Sequence, residues 1–207
     1  MELSEALRRR RMVRAFVPGR PVAPEVLDRV LDAGRRVPSA GNSQGLDLVV
    51  LEGDATTTYW HLAFPSASAR ARFRWQGLLA APVLVVPVVS AAAYAERYAE
   101  GDKGATGLGE EAAWSVPYWF VDGGMGLLAL LLVAVDEGLG ACFFGLFERE
   151  EALLGALGVP PGRRALGVVA LGHPAPDEPG RSVARPRRPL DEVVHRGRWE
   201  GRPTGGG

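Results

Sequence analysis

Arginines crowd two short stretches of the sequence, Arg8 to Arg11 with Arg14 near the start, and Arg181 with Arg185, Arg187 and Arg188 near the end. Planar guanidinium groups meet a phosphate monoester, which carries about two negative charges at neutral pH, through paired charge-assisted hydrogen bonds. Between the clusters, Pro38-Ser39-Ala40-Gly41-Asn42-Ser43-Gln44 packs small side chains and side-chain amides into one tight turn. Such a loop lets a planar ligand approach the backbone and offers donors to its polar edge. Read as a helix, the first cluster sets Arg10 and Arg14 one turn apart, so that both guanidiniums aim at one anion. Read without a ligand, the same residues are a solvated basic helix end or a nucleic-acid arm, an ordinary turn and a polar tail.

The elements that must hold these residues follow from periodicity and punctuation. Ser4 is placed to cap a short helix carrying the first arginines, and Phe16-Val17-Pro18-Gly19 ends it in a turn. A second helix has Pro24 in its first turn, Val26, Leu27, Val30 and Leu31 on one face, and Glu25–Arg29 and Asp32–Arg36 as supporting pairs. Pro38 drives Val37 out of helical geometry, so the small-residue turn starts where a helix must stop. Leu46–Leu51 and Val83–Val89 read as strands, Pro87 putting the second near an edge or bulge. Tyr59–Leu79 between them reads as helical, and Gly101–Gly109 as a loop whose mobility serves substrate entry. Tyr118–Glu137 is the long core helix, stopped by Gly138 and Gly140, with a strand at Ala141–Phe147 after it. A shorter amphipathic helix at Glu148–Leu157, a turn at Val159–Gly162 and a strand at Leu166–Leu171 complete the core. Arg181–Trp199 extends beyond it, and Gly205–Gly207 is a frayed end. Alternating helices and strands mean α/β or α+β, and periodicity alone does not choose.

Composition narrows the function classes. At 207 residues and 47% hydrophobic, the chain can bury one sizeable core, so a single domain is expected. Arginine and lysine balance the acids, 24 against 24, which leaves no overall field to draw the chain to nucleic acid or an anionic membrane. Its one cysteine, Cys142, sits in an apolar run with no basic neighbour; it reads as a buried small hydrophobe in a reducing, cytoplasmic protein. Met1–Phe16 lacks the apolar stretch of a signal peptide. The most apolar segment, Met125–Val135, is well short of the ~20 residues that span a bilayer and reads as a core helix or one buried between subunits. His61, His173 and His195 show no metal-ligand spacing, and there is no nucleophile elbow, P-loop or dinucleotide glycine fingerprint.

Arg10-Arg11-Met12-Val13-Arg14 followed by the Pro38–Gln44 turn resembles the nitroreductase family of flavin oxidoreductases. Gly138–Gly145 and Ala165–Pro174, running on to Arg185–Leu190, agree with it in the family's order over nearly the whole chain. The resemblance implies an α+β fold, a mixed, mostly antiparallel sheet surrounded by helices. It also implies one domain over residues 1–200, whose extension 181–200 contributes to the flavin site, with 201–207 a flexible tail. The implied cofactor is FMN. Arg10, Arg11, Met12 and Arg14 form the first flavin-binding segment; Pro38, Ser39, Ala40, Asn42 and Gln44 meet the ring edge or ribityl chain. Phe144 and Gly145 lie beside the ring, and Arg185 and Arg187 serve the phosphate and ribityl end, with a register slip to Arg188 left open. Met12 stands where the family usually has a small hydroxyl residue, and Gln44-Gly45-Leu46 where many relatives have Gln-Pro-Trp.

What this implies is an FMN-dependent oxidoreductase in which NAD(P)H reduces the flavin and a nitroaromatic, quinone or related acceptor reoxidises it by ping-pong chemistry. Such chemistry asks no catalytic side chain of the protein. Trp114, Tyr118, Trp119 and Phe120 either wall the acceptor pocket or pack at a helix start. The alternatives are a specialised member that cleaves reduced flavin to make the lower ligand of cobalamin, a deazaflavin-using reductase, and a flavin-binding protein without turnover. The expected assembly is a homodimer with the flavin at its interface.

Overall fold

Five strands make up one sheet in the computed structural model, which describes residues 1–146, 149–178, 180 and 184–199. These are β1 (Leu46–Glu52), β2 (Val83–Ser90), β3 (Gly140–Phe144), β4 (Arg163–Ala165) and β5 (Val168–Gly172). The order is β1-β2-β5-β3, β4 pairs with β2, and every strand pair is antiparallel. The class is therefore α+β. β2 is buried throughout, which explains its unbroken apolar sequence: a strand covered on both faces shows no alternation.

Pro87 is tolerated at the centre of the sheet for a local reason. β5 pairs with Val83–Val85 and β4 with Val88–Ser90, so Pro87 faces the bulge between them, where its carbonyl accepts from the Leu166 N–H at 2.9 Å. The bulge expected at this proline is present; the edge position is not. The strand expected at Leu166–Leu171 is β5, starting at Val168; the bulge at Leu166 and Gly167 separates it from β4, a strand that was not expected.

Around the sheet lie α1 (Leu3–Arg9), α2 (Pro24–Arg35), α3 (Asp54–Ala63), α4 (Ala67–Ala71), α5 (Ala91–Ala99), α6 (Tyr118–Asp136) and α7 (Glu150–Ala156). Several expectations are corrected here. Glu2, not Ser4, precedes the first helix, and that helix ends at Arg9 instead of running to Phe16. Arg10–Arg14 leaves it to run beside β3: Met12 forms a parallel bridge with Ala141, and the Val13 N–H donates to the Ala141 carbonyl at 2.9 Å. Pairing with the sheet, together with burial of Val13 and Phe16, outweighs local helical preference. Tyr59–Leu79 is not one helix but α3, α4 and a 3-10 turn at Gln76–Ala80, broken around Pro65. Arg29 does not pair with Glu25; it reaches Glu137 with two bonds of 2.7 Å, while the Asp32–Arg36 pair forms as expected.

α6 spans 19 residues and is long and apolar enough, by length and composition alone, to cross a membrane. It instead packs on α1, α2 and the sheet, burying Trp119, Asp122, Leu130, Leu131 and Ala134. Its approach to α2 needs Gly126, where a Cβ would lie 2.9 Å from the Gly34 carbonyl oxygen. The opposite stripe, Tyr118, Val121, Met125 and Leu128, is exposed. The chain divides into a unit of Met1–Asp177 and a second beginning at Glu178. In the second, Leu190–Glu192 forms a 3-10 turn, the Arg188 guanidinium bonds Glu192, and His195 stacks on Trp199 at 4.1 Å. The expected frayed end at Gly205–Gly207, and Phe147, Glu148 and Arg181, lie outside the described residues.

Candidate flavin site

The Arg10–Arg14 segment and the end of β3 are brought together. Besides the Met12–Ala141 bridge, the Phe143 N–H points at Met12 Sδ at 3.4 Å. Arg10 is half-buried at the end of α1 and Arg11 is exposed. Arg14 is oriented on three sides: its backbone N–H donates to Asp177 at 2.7 Å, Nη1 donates to the Met12 carbonyl at 3.1 Å, and the guanidinium lies 4.9 Å over the Trp75 ring. Because the first helix ends at Arg9, Arg10 and Arg14 are not set one helical turn apart. Beside them Cys142 is buried, and burial pushes its thiol up to about 11, against a smaller opposing effect of Arg14. It is an inert core thiol at neutral pH.

Phe144 stacks on Trp60 with centroids 5.7 Å apart, and together with Gly145 lines a cavity of about 720 Å³ shared with Tyr59, Phe64 and Phe73. A groove of about 990 Å³ between α2, β1 and the end of α6 contains none of the expected flavin residues, and its walls carry ion pairs such as Arg29–Glu137.

The Pro38–Gln44 turn is built as expected where α2 stops, and it displays its amides. Ala40–Asn42 forms a 3-10 turn in which Gly41, Asn42 and, just beyond, Gln44 take left-handed backbone angles of 61°, 57° and 50°. Asn42, Gln44 and Pro38 are exposed; Ser39 and Ala40 are half-buried. The Ser39 hydroxyl accepts from the Gln44 N–H at 3.0 Å, and the Ser43 hydroxyl donates to the Ala40 carbonyl at 2.6 Å. Two supports come from elsewhere in the chain. The Ala40 N–H donates to Asp122 Oδ2 at 2.8 Å, and Arg97 Nε donates to the Gly41 carbonyl at 2.9 Å. Tyr98 closes on Gly41 so tightly that a Cβ there would lie 2.6 Å from its ring.

Asp122, Tyr94, Arg97 and Trp75 are contributors that sequence reasoning missed. The signal for Asp122 was a carboxylate within a helix that is otherwise apolar, a group that burial makes costly without donors. Trp114 is the centre of an aromatic cluster with Tyr94, Tyr98, Tyr118 and Trp119, and its indole N–H donates to the Leu108 carbonyl at 3.0 Å. Arg185 and Arg187 are exposed in the second unit. Among the described residues no group of His, Cys, Asp and Glu could hold a metal ion.

An antiparallel sheet flanked by helices, with guanidiniums at one strand edge and a small-residue turn displaying amides, has the donor set of a site for a planar phosphorylated cofactor. Residues 7–173 match the nitroreductase family model, and the chain belongs to that family. Solved structures share the fold. A Desulfovibrio desulfuricans protein described as a nitroreductase, crystallised with FMN, is 22% identical with a TM-score of 0.69, covering 97% of this chain and 99% of its own. A Staphylococcus epidermidis protein described as an NAD(P)H:FMN oxidoreductase is 19% identical at TM-score 0.71, covering 94% and 95%. A nitroreductase family protein of Clostridium difficile is 19% identical at TM-score 0.68, covering 96% and 100%. No curated protein matches the sequence.

Proposed function

We propose that the protein is an FMN-dependent oxidoreductase that takes electrons from NAD(P)H and passes them to a nitroaromatic, quinone or related acceptor. The observation that carries this reading is the seating of the Arg10–Arg14 segment on β3, with Arg14 oriented on Trp75, Phe144 ending that strand and Gly145 directly after it. Bound FMN supplies the redox chemistry; the chain binds, orients and shields it. Arg10, Arg11 and Arg14 hold negative charge, with Arg185 and Arg187 added from the C-terminal extension. Ser39, Ala40, Asn42 and Gln44 meet the polar ring edge, and Met12, Phe144 and Gly145 line the ring. The aromatic cluster around Trp114 walls the acceptor pocket.

This reading calls for two copies of the chain. Ala141, beside Met12, pairs with Leu171 and so stands level with Val83, whereas Leu46, after the turn, pairs with Val89 at the other end of β2. The edges β1 and β3 are three strand spacings apart, ~14 Å, and Val83 to Val89 adds ~20 Å along the strands, so the two motifs sit at diagonal corners ~25 Å apart. In a homodimer the turn of one copy meets the arginine segment of the other. The exposed stripe of α6, Tyr118, Val121, Met125 and Leu128, is the apolar surface for that contact. A cytoplasmic setting fits the single buried thiol.

The test is the absorption spectrum of the purified protein with the mass of its released cofactor, followed by oxidation of NADH and NADPH. A flavin spectrum, the mass of FMN and nicotinamide oxidation are expected. A protein that takes up no flavin refutes the reading. Bound flavin without nicotinamide oxidation supports instead a flavin binder or a specialised flavin-cleaving enzyme, and a deazaflavin mass names the other cofactor.

A further inference from the structure

Asp122 is the one acid in α6 before its last residue, and it is 5% exposed. Withdrawing a carboxylate from water costs several kcal/mol unless donors replace the solvent. Two do, on the same oxygen: the Ala40 N–H and the Tyr94 hydroxyl, each 2.8 Å from Oδ2. Burial, and then the bond to Asp122, push the Tyr94 phenol well above its usual range, so it remains a protonated donor at neutral pH. What the carboxylate adds is a fixed point beneath the Pro38–Gln44 turn.

That turn needs one. Two non-glycine residues, Asn42 and Gln44, hold left-handed backbone angles, a conformation that asparagine tolerates but that strains a glutamine. Such strain persists where surrounding bonds over-determine it. Here Asp122 grips the turn from below at Ala40, and Arg97 grips it from the side at the Gly41 carbonyl. Arg97 is in turn locked by Asp102 through two bonds of 2.7 and 2.8 Å. The product is a rigid turn with the amide side chains of Asn42 and Gln44 facing solvent.

We propose that Asp122, with Tyr94 as its second donor, is a positioning residue that fixes the Asn42 and Gln44 donors against the polar edge of the flavin and thereby favours its reduced form. The inference rests on the FMN reading above. Preorganised donors are worth most where charge develops, because they need no rearrangement when it appears. A loosened turn therefore weakens binding of the reduced, more negative cofactor more than that of the oxidised one.

Asp122→Asn and Tyr94→Phe are compared with the wild type in two measurements. The first is amide hydrogen exchange at Ala40 in flavin-free protein; the second is the two-electron midpoint potential of bound FMN. Asp122→Asn is expected to speed Ala40 exchange at least about tenfold. It is also expected to lower affinity for reduced FMN about tenfold more than for oxidised FMN, a potential ~30 mV more negative. Tyr94→Phe, which removes one of the two bonds, moves both readouts the same way by less. In an Asn42→Ala background the potential shift from Asp122→Asn should shrink, because the two act through one turn. An unchanged potential with faster Ala40 exchange overturns the proposal: Asp122 then shapes the turn without acting on the flavin. Unchanged exchange overturns it earlier. If Asp122→Asn does not fold, Tyr94→Phe decides alone, and wild-type values in either readout refute the idea. A wild type that binds no FMN defeats the FMN reading and with it this proposal, whereas a flavin-binding wild type with unshifted variants defeats only this proposal.

Discussion

Arg14→Ala tests the arginine segment where the structure gives a magnitude. The Arg14 guanidinium already spends one N–H on the Met12 carbonyl and lies over Trp75, so its remaining donors are held in place before any anion arrives. Little side-chain entropy is then lost on binding, and the full range for a hydrogen bond to a charged group applies, ~1.5–3 kcal/mol. At about 1.4 kcal/mol per tenfold, this weakens FMN binding by roughly 10- to 150-fold. The lost cation–π contact costs the fold itself ~0.5–1 kcal/mol, which urea unfolding of the flavin-free protein measures separately. Fluorescence titration of FMN at low and moderate salt is the assay. Arg8, exposed on α1, is the control: Arg8→Ala should leave the dissociation constant within about twofold, and added salt should weaken wild-type binding. Equal losses for Arg8→Ala and Arg14→Ala would mean that the cluster acts as diffuse charge. A loss below threefold for Arg14→Ala would remove it from the site.

Three further outcomes are expected. Wild-type protein at micromolar concentration should sediment as a dimer and Leu128→Arg, on the exposed stripe of α6, as a monomer; a wild type found only at 22.1 kDa refutes the dimer. Replacing His61, His173 or His195 with Gln should leave flavin reduction by NAD(P)H within a few-fold in stopped flow, since losing a required general acid or base costs about 10² to 10⁴. The bond from Arg164 holds the Glu150 carboxyl below its ordinary range against the opposing effect of burial, and the Ala165 N–H adds a smaller lowering effect. The depressed folded value means that the stabilisation is present above the unfolded value near 4.3 and is lost as pH falls through the folded one. Because Arg164 is well exposed the effect is small, ~0.5–1 kcal/mol, and Glu150→Gln should remove it from urea unfolding at pH 7, the difference from wild type shrinking as the pH falls through the depressed folded value.

The strands most visible in the sequence are those buried on both faces. Val83–Ser90 and Val168–Gly172 are continuous apolar runs because no side of them meets water, and burial writes itself directly into residue type. Arg163-Arg164-Ala165 carries no such signature. It is a strand because β2 continues past the Pro87 bulge and because Glu150 clamps both the Arg164 side chain and the Ala165 amide, two long-range facts with no local trace. The same contrast divides the site. The small-residue turn was legible because its backbone demands small and amide-bearing residues, whereas the course of Arg10–Arg14 was not, since its arginines suit a helix and only the open edge of β3 draws them straight. Glu25 lost Arg29 to Glu137 for a like reason: the i,i+4 rule knows nothing of a carboxylate at the far end of another helix. Asp122 stands between these cases. The sequence shows an acid inside an apolar helix but not its donors, so it announces that a partner must exist and leaves the fold to say that the partner is the backbone of the turn.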